Sequence, residues 1–340
     1  MVQIFLTGAT GYVGGQTLHA ISKAFKPSQV TVACLIRDAQ KAKKVQETYP
    51  DHVRVVIGDL DNVDTIEAEA QKSDVVLQLA NTKHLAAARA IVKGLTEKRR
   101  KTQPYYVQMS GASLFVIPEI KEGKYGEPSS EVWDDLQGTA KILDTIRANP
   151  SREVDNFIIS QNPSAVRTAL VAGPLIYGKG EGPGNQRSIQ APEIAKKTIQ
   201  DGEGFRLGKG LNKWSNIHVQ DLGQLFLKLT EAALNGSTQG WNDEGIYLPA
   251  NGELAFGTLC EDIAKEAHAQ GLIKSPSVTK TITPDEANKA MPAGAIFWGT
   301  NAVYKSSRGQ KLLGWAPSAP SLQDDVPEIV KIEAKTLGKA

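Results

Sequence analysis

The sequence predicts an α/β protein, a doubly wound parallel sheet with a smaller C-terminal lobe, and three observations predict it. An apolar run, Val2 to Leu6, drops into a glycine turn and leaves it as an amphipathic helix. Strand-like and helical periodicities then alternate through Ser110. Beyond Pro174 that rhythm loosens and glycine-rich segments take over. Strands separated by helices pair in parallel through right-handed crossovers, which puts helices on both faces of one sheet. Sheets of this Rossmann type bind ligands at the carboxyl ends of their strands. The expected division is a dinucleotide-binding unit over 1–173, with return segments at about 214–250, and a mainly substrate-binding lobe over 174–340.

The first element is the most informative. Gly8, Gly11 and Gly14 stand three residues apart. Gly8 permits the tight turn, Gly11 lets backbone amides approach a pyrophosphate, and Gly14 lets the helix pack on the strand. Thr10, Tyr12 and Val13 complete the turn and open the helix, whose unpaired amides and dipole favour negative charge. A glycine triplet after a strand and before a helix has the context that phosphate binding requires.

The later elements follow the same alternation. Strands are expected at 29–38, 53–60, 74–80 and 105–110, with helices at 39–49, 65–73 and 84–98 between them. Residues 131–143 read as a helix carrying Lys141 near its middle, and 189–202 as another with Pro192 early in it.

Composition narrows the class. The chain is 41% hydrophobic and 22% charged, with a net charge of +2. These are values of an ordinary soluble globular protein, with no bulk charge to draw it to nucleic acid or membrane. The run Thr96 to Lys101 reads as a solvated helix end. Two cysteines lie far apart, and Cys34 sits inside an apolar strand. A buried thiol in a reducing compartment suits that better than a disulfide framework. No apolar run approaches the roughly 20 residues of a membrane span, and the start of the chain has no leader pattern. The expectation is a cytoplasmic monomer or homodimer whose partner is a small-molecule substrate.

The second strand ends at Arg37, 23 residues beyond Gly14. An acid in this region grips the ribose 2′-hydroxyl of NAD; arginine, followed by Lys41, Lys43 and Lys44, suits a 2′-phosphate. NADP(H) is therefore favoured, and Asp38 beside Arg37 keeps NAD(H) as the alternative. Asp59 and Leu60, ending the third strand, would hold the adenine edge. Ala80 and Asn81, ending the fourth, would lie along the nicotinamide half.

At these residues the chain resembles the short-chain dehydrogenase/reductase superfamily in its extended form. The likeness extends to residues 166–188, to "WSNIHVQDLGQLFLKL" and to "SSRGQKLLGWAPS". More narrowly, "GPGNQRSIQ", "WSNIHVQDL" and "AIFWGTN" resemble an atypical fungal group, the NAD-dependent epimerase/dehydratase-like proteins. The resemblance implies a proline-led active-site loop at Pro174. It also implies a tyrosine and a lysine four residues apart on one helix face, and a serine after the fifth strand. In that scheme the lysine holds the nicotinamide ribose and lowers the pKa of a phenol that otherwise titrates near 10.

The chain departs from that scheme. Four residues before Lys141 stands Gln137, which has no proton to give, and Gly111 lies near the usual serine position between Ser110 and Ser113. Lys141 is then either a ribose ligand or a solvent-facing lysine. Candidate acids elsewhere are Tyr177 in "PLIYG", Tyr125, and His84 after the fourth strand, each with a structural reading beside it. Asp134 and Asp135 most simply complement a helix dipole, and His218 is a packed residue at a strand end. In the second lobe Asn185, Gln186, Arg187 and Ser188 cluster before a helix, where Arg187 either grips an anion or anchors the loop. Trp133, Phe297 and Trp298 are either core or an apolar substrate wall, which would suit a lipophilic substrate. No metal-ligand spacing is present.

Three functions share these features. The first is an NADP(H)-dependent oxidoreductase for a small carbonyl, alcohol or unsaturated compound of secondary metabolism. The second is a non-redox isomerase, lyase or cyclase on the same fold. The third is a dinucleotide-sensing regulator.

Overall fold

The glycine turn, the alternation and the loosened second half each have a physical counterpart in the computed structural model, which describes residues 2–97 and 102–339. The basic residues of the run at 98–101 lie outside the described residues. The first unit is built from β1 (Val2–Thr7), α1 (Tyr12–Ala24), β2 (Val30–Ile36), α2 (Ala39–Thr48) and β3 (Val53–Ile57). It continues through α3 (Val63–Lys72), β4 (Val75–Gln78), α4 (Leu85–Thr96), β5 (Tyr105–Gly111) and α5 (Ile117–Glu122). Then come β6 (Val132–Asp134), α6 (Thr139–Arg147), α7 (Glu153–Ile159) and β7 (Arg167–Gly173).

The second half contributes β8 (Leu175–Tyr177), α8 (Gln190–Asp201), β9 (Gly204–Leu207), β10 (Lys213–His218) and α9 (Val219–Leu234). After these stand β11 (Ile246–Tyr247), β12 (Gly252–Ala255), α10 (Phe256–Ala269), β13 (Val278–Ile282) and α11 (Pro284–Ala290). The chain closes with α12 (Gly294–Gly299), β14 (Val303–Lys305), α13 (Arg308–Leu313) and α14 (Leu322–Thr336).

Seven strands form the main sheet in the order β11-β7-β5-β4-β1-β2-β3, every pair parallel. The order reverses between β1 and β4, so a crevice opens where their carboxyl ends part. Central strands are buried on both faces: Val75, Val76 and Leu77 of β4 have no exposed surface. One core layer lies under α1 and α9 and holds Leu18, Ile21, Leu222 and Phe226. The opposite layer runs from Ile66 and Ile91 through Ile142 and Ile158 into the second lobe. That lobe carries three small sheets, β12-β10-β8, β13-β9 and β14-β6. Its helices α8, α10 and α14 pack on one another. Among the described residues no helix is long and apolar enough to cross a membrane.

Residues 131–143 differ from the sequence expectation. Val132 to Asp134 pair with Val303 to Lys305 as strands. The Asp134 carboxylate then accepts the amides of Leu136 and Gln137 at 2.8 and 2.9 Å. An aspartate that bonds amides just ahead of it makes a turn instead of continuing a helix, and α6 starts only at Thr139.

Asp135 likewise does not complement a helix dipole. Its buried carboxylate accepts the amides of Ser307 at 2.8 Å, Arg308 at 2.9 Å and Leu248 at 3.2 Å. The Arg308 guanidinium returns to the Asp135 carbonyl at 2.9 and 2.7 Å. One carboxylate thus ties the turn before α6 to the residue that follows β11 and to the start of α13. Asp135→Ala leaves three amides without their acceptor and should lower unfolding free energy by about 3–5 kcal/mol, read by chemical denaturation; a loss below about 1 kcal/mol would remove the knot from this account.

Candidate functional site

Glycine is required at the turn for steric reasons that can be measured. Gly8 has φ +87°, and a Cβ there would lie 2.7 Å from the Leu79 carbonyl carbon. A Cβ on Gly14 would lie 2.1 Å from the Gly8 oxygen. Strand β1, helix α1 and the end of β4 therefore meet backbone to backbone. No side chain caps α1 at Gly11, and the first-turn amides of Tyr12, Val13 and Gly14 face forward as an anion site.

A cleft of about 440 Å³ opens in front of this turn, lined by Thr7, Gly8, Thr10, Gly11, Arg37, Asp59, Leu60, Ala80, Asn81 and His84, among others. The structure thus gathers most of the residues expected to bind a dinucleotide. Arg37 is exposed on the rim and has no ion pair among the described residues. Asp38 is committed elsewhere: it caps α2 by accepting the Lys41 amide at 2.8 Å. Asp59 accepts the Asp61 amide at 2.9 Å, which shapes the rim. Beneath them Gln78 accepts the Thr7 hydroxyl, and its own buried Nε2 has no partner. A donor buried without an acceptor is costly unless a ligand supplies one.

The cofactor candidates Tyr12 and Pro174 are placed differently. The Tyr12 hydroxyl donates to the Gly178 carbonyl, so its side chain braces the loop after β8 and only its backbone faces the cleft edge. Pro174 is buried between β7 and β8 and does not line the cleft.

The catalytic candidates separate. Lys141 does not reach the cleft: its ammonium lies 2.6 Å from Glu131 and 4.7 Å from the Trp133 ring centre. The cause is the late start of α6, which sets Lys141 on an outer face. The Tyr177 hydroxyl donates to the Pro320 carbonyl at 2.7 Å, and burial raises its pKa, with Asp221 adding to the rise. It is a structural phenol. His84 lines the cleft as the cap of α4: Nδ1 accepts the Ala87 amide at 3.1 Å and Nε2 lies 3.0 Å from Asp61. Both ring nitrogens are engaged. Tyr125 is half-buried and packs against the second lobe. His218 caps α9 with its ring edge-on to Tyr177, and burial lowers its pKa.

The substrate candidates also divide. Trp133, 8% exposed, packs on Phe115 with ring centres 4.7 Å apart. Trp298, 2% exposed, donates to the Gln190 carbonyl at 3.3 Å, and Phe297 packs half-buried near Trp214. These aromatics are core, so they form no apolar substrate wall. Arg187 is saturated by carboxylates: a fork to Glu333 at 2.7 and 3.0 Å and Glu193 at 2.9 Å. It anchors its loop to α14 and α8. Asn185 bonds Arg187 and donates its amide to the Thr10 carbonyl at 3.0 Å. Asn185, Arg187 and Ser188 line a second cleft of about 380 Å³ with Pro192, Ile329 and Ile332.

Ser110 and Ser113 meet a residue that sequence reasoning missed. Arg152, just before α7, donates to Ser110 Oγ at 2.8 Å and Ser113 Oγ at 3.1 Å. Its Nε donates to Asp155 at 2.6 Å. Asp155 is 1% exposed; burial raises its pKa, opposed by Arg152 and by Ser110. The Arg152–Asp155 spacing matches an ordinary helical ion pair, so the sequence held no signal that the pair faces the end of β5.

Comparison with known proteins places this geometry. Residues 8–113 match the family model described as NAD(P)H-binding. Along 99% of both chains the protein is 32% identical to the oxidase ucsJ of Acremonium sp. A dTDP-glucose 4,6-dehydratase from Bacillus anthracis, solved in complex with NAD, superposes with a TM-score of 0.65 at 13% identity, covering 100% of this chain and 98% of that one. A UDP-glucose 4-epimerase from Thermotoga maritima gives 0.62 at 13% identity, covering 99% and 100%. The two structures establish a shared fold. The turn itself gives a direct test. Gly8→Ala forces a side chain into positive φ against β4, so it should cost about 1–3 kcal/mol and abolish NAD(P)H binding in a fluorescence titration.

Proposed function

This chain belongs to one family with the Acremonium oxidase ucsJ, and from that premise we propose that it is an NADP(H)-dependent oxidoreductase acting on a small carbonyl, alcohol or unsaturated metabolite. The observation that carries the reading is the rim of the cleft, where Arg37 stands exposed with no ion pair among the described residues, while Asp38 caps α2 with one oxygen and does not line the cleft. A guanidinium without a carboxylate partner suits a 2′-phosphate, which it can grip in forked geometry. Asp38, which would suit a free 2′-hydroxyl, does not line the cleft.

The residues present fit a dinucleotide. Glycine backbones at Gly8, Gly11 and Gly14 leave the helix amides bare for the pyrophosphate. Asp59 and Leu60 border the adenine side, and Ala80 and Asn81 the nicotinamide side. When bound, the nicotinamide supplies or accepts a hydride. The chain's own part is to orient substrate at the ends of β4 and β5 and to exclude water there. The same reading takes 1–173 as the dinucleotide unit, 174–340 as mainly the substrate lobe, and the protein as a cytoplasmic monomer or homodimer.

Cofactor preference tests this directly. Arg37→Ala removes one charge-assisted fork of about 1.5–3 kcal/mol. It should weaken NADPH binding about ten- to a hundredfold while NADH binding stays within about twofold, both by fluorescence titration. Equal loss for the two nucleotides would overturn the assignment of Arg37 to the 2′-phosphate. A protein that bound NADPH tightly yet never oxidised it with any aldehyde, ketone or enone would instead favour isomerase or lyase chemistry, the reading that the missing tyrosine supports.

A further inference from the structure

Below the segment Asn81–His84 lies a smaller polar pocket of about 140 Å³, lined by Thr82, Lys83, Ser151, Arg152, Glu153, Val154 and Asp155. It adjoins the dinucleotide cleft, because Asn81 and His84 line the cleft while Thr82 and Lys83 line the pocket. Ser110 and Ser113, which hold Arg152, stand at the carboxyl end of β5 and just after it. The pocket is therefore at the end of the sheet where the cofactor reading puts the nicotinamide.

Its construction points to a ligand. The Arg152 side chain is 11% exposed and is held on one side by Asp155, which is 1% exposed. Two serine hydroxyls fix it on the other side, so its planar fork is oriented before anything binds. The other Asp155 oxygen, Oδ1, is buried, and Asp155 also faces the Ser110 hydroxyl. A carboxylate in the interior is costly unless the charge and donors next to it offset the loss of water. Lys83, exposed at the mouth, has no ion pair among the described residues. The pocket thus offers an oriented cation balanced by Asp155 and, toward its entrance, the ammonium of Lys83 together with the carboxylate of Glu153. That set fits an oxygen on which negative charge develops.

We propose that Arg152, aimed by Asp155, Ser110 and Ser113, is the oxygen-binding group of the substrate site, taking the carbonyl or carboxylate oxygen of an oxidised substrate. The assignment rests on the oxidoreductase reading above. Were a carbonyl reduced there, a bound nicotinamide would supply the hydride and both electrons to its carbon, Arg152 would hold the oxygen that keeps the former π pair, and a proton from solvent would complete the alcohol. Arg152 touches the substrate oxygen. Asp155 acts through Arg152 and is a positioning residue.

Oxalate, a small dicarboxylate of the right charge, is the probe. Titrated calorimetrically into wild-type protein saturated with NADP+, it should bind with millimolar affinity. Arg152→Gln should weaken that binding at least about tenfold, the loss of one charge-assisted hydrogen bond from the Nη1 proton that Asp155 and the two serines leave free. Lys83→Gln, which disturbs no contact in the fold, should weaken it about threefold and flatten its salt dependence. Arg147→Gln, an exposed arginine on α6, should leave it unchanged. Asp155→Asn should weaken oxalate less than Arg152→Gln does, with the loss restored in part by lowering salt. Oxalate binding within twofold of wild type in both Arg152→Gln and Lys83→Gln overturns the proposal, and so does a wild-type protein that binds none. Titrating NADPH into the same preparations keeps the two readings apart. If wild type binds no NADPH, the cofactor reading fails, and oxalate titrated into nucleotide-free protein still decides for or against Arg152.

Discussion

The architecture depends on one steric constraint: a seam where backbone meets backbone with no room for a side chain. A Cβ on Gly14 would stand 2.1 Å from the Gly8 oxygen, and one on Gly8 would stand 2.7 Å from Leu79. The same seam continues into the second half of the chain. A Cβ on Gly184 would lie 2.1 Å from the Thr10 oxygen, and one on Gly182 would lie 2.4 Å from the Gly15 carbonyl carbon. Pro183 stands between these two glycines and holds its own φ near −65°, so the loop reaches the turn already shaped. Gln16 clasps the loop from α1, accepting the Glu181 amide at 2.8 Å. Core side chains tolerate small volume changes by repacking, but backbone pressed on backbone has no rotamer to change. One set of contacts therefore fixes the phosphate-binding turn and the docking of the second lobe beside it.

That seam also shows what the sequence could reveal and what it could not. The first half of it was legible, because Gly8, Gly11 and Gly14 are local to one strand and one helix and their spacing carries the geometry. The second half read only as a glycine-rich segment, since its partner lies about 170 residues earlier. The first five strands of the main sheet were legible for the same local reason: they stand out as apolar runs between turn residues, the central ones buried on both faces, whereas β7 was legible through the family resemblance and the two-residue β11 is too short to carry such a run. Residues 131–143 misled because the pattern of Ile142, Leu143 and Ile146 is helical while Asp134 diverts its own backbone into a turn. Trp133 and Trp298 were open to two readings, and only tertiary packing separates a core aromatic from a pocket wall.

The arginines make the same point in electrostatic terms. Four of them carry the same side chain and behave differently because of what faces them. Arg308 turns its guanidinium onto the Asp135 carbonyl and the Thr139 hydroxyl, which makes it a buried strut. Arg187 is enclosed by Glu333 and Glu193, both of which raise its pKa; its fork is spent inside the protein. Arg37 faces the cleft rim without a carboxylate. Arg152 is intermediate, charge-balanced by Asp155 yet satisfied on its other side only by neutral hydroxyls. An anion competes poorly for a guanidinium already forked by carboxylates and well for one held by serines, since a hydroxyl contributes a dipole where a carboxylate contributes a full charge. Partner type, more than residue type, decides which arginine can serve a ligand.

The absent tyrosine then takes on a physical meaning. An arginine cannot release its proton near neutral pH, so Arg152 cannot do the work of a tuned phenol. Other acids near it are poorly placed for that work as well. Tyr304 lies on β14, its ring against Phe115, and its hydroxyl is buried without a partner. The Arg152 charge lowers its pKa, but burial is the larger effect and holds the phenol well above its ordinary value. A phenol in that state keeps its proton throughout the neutral range. Asp155 is lifted by the same burial, yet Arg152 needs it ionised to stay oriented, and protonating it would free the guanidinium it aims. The site is therefore built to hold developing negative charge with a fixed cation whose side chain is itself largely withdrawn from water, where such an interaction is stronger than in solvent. Stabilising an oxyanion and donating a proton are separable tasks, and the residues around Ser110 and Ser113 are arranged for the first.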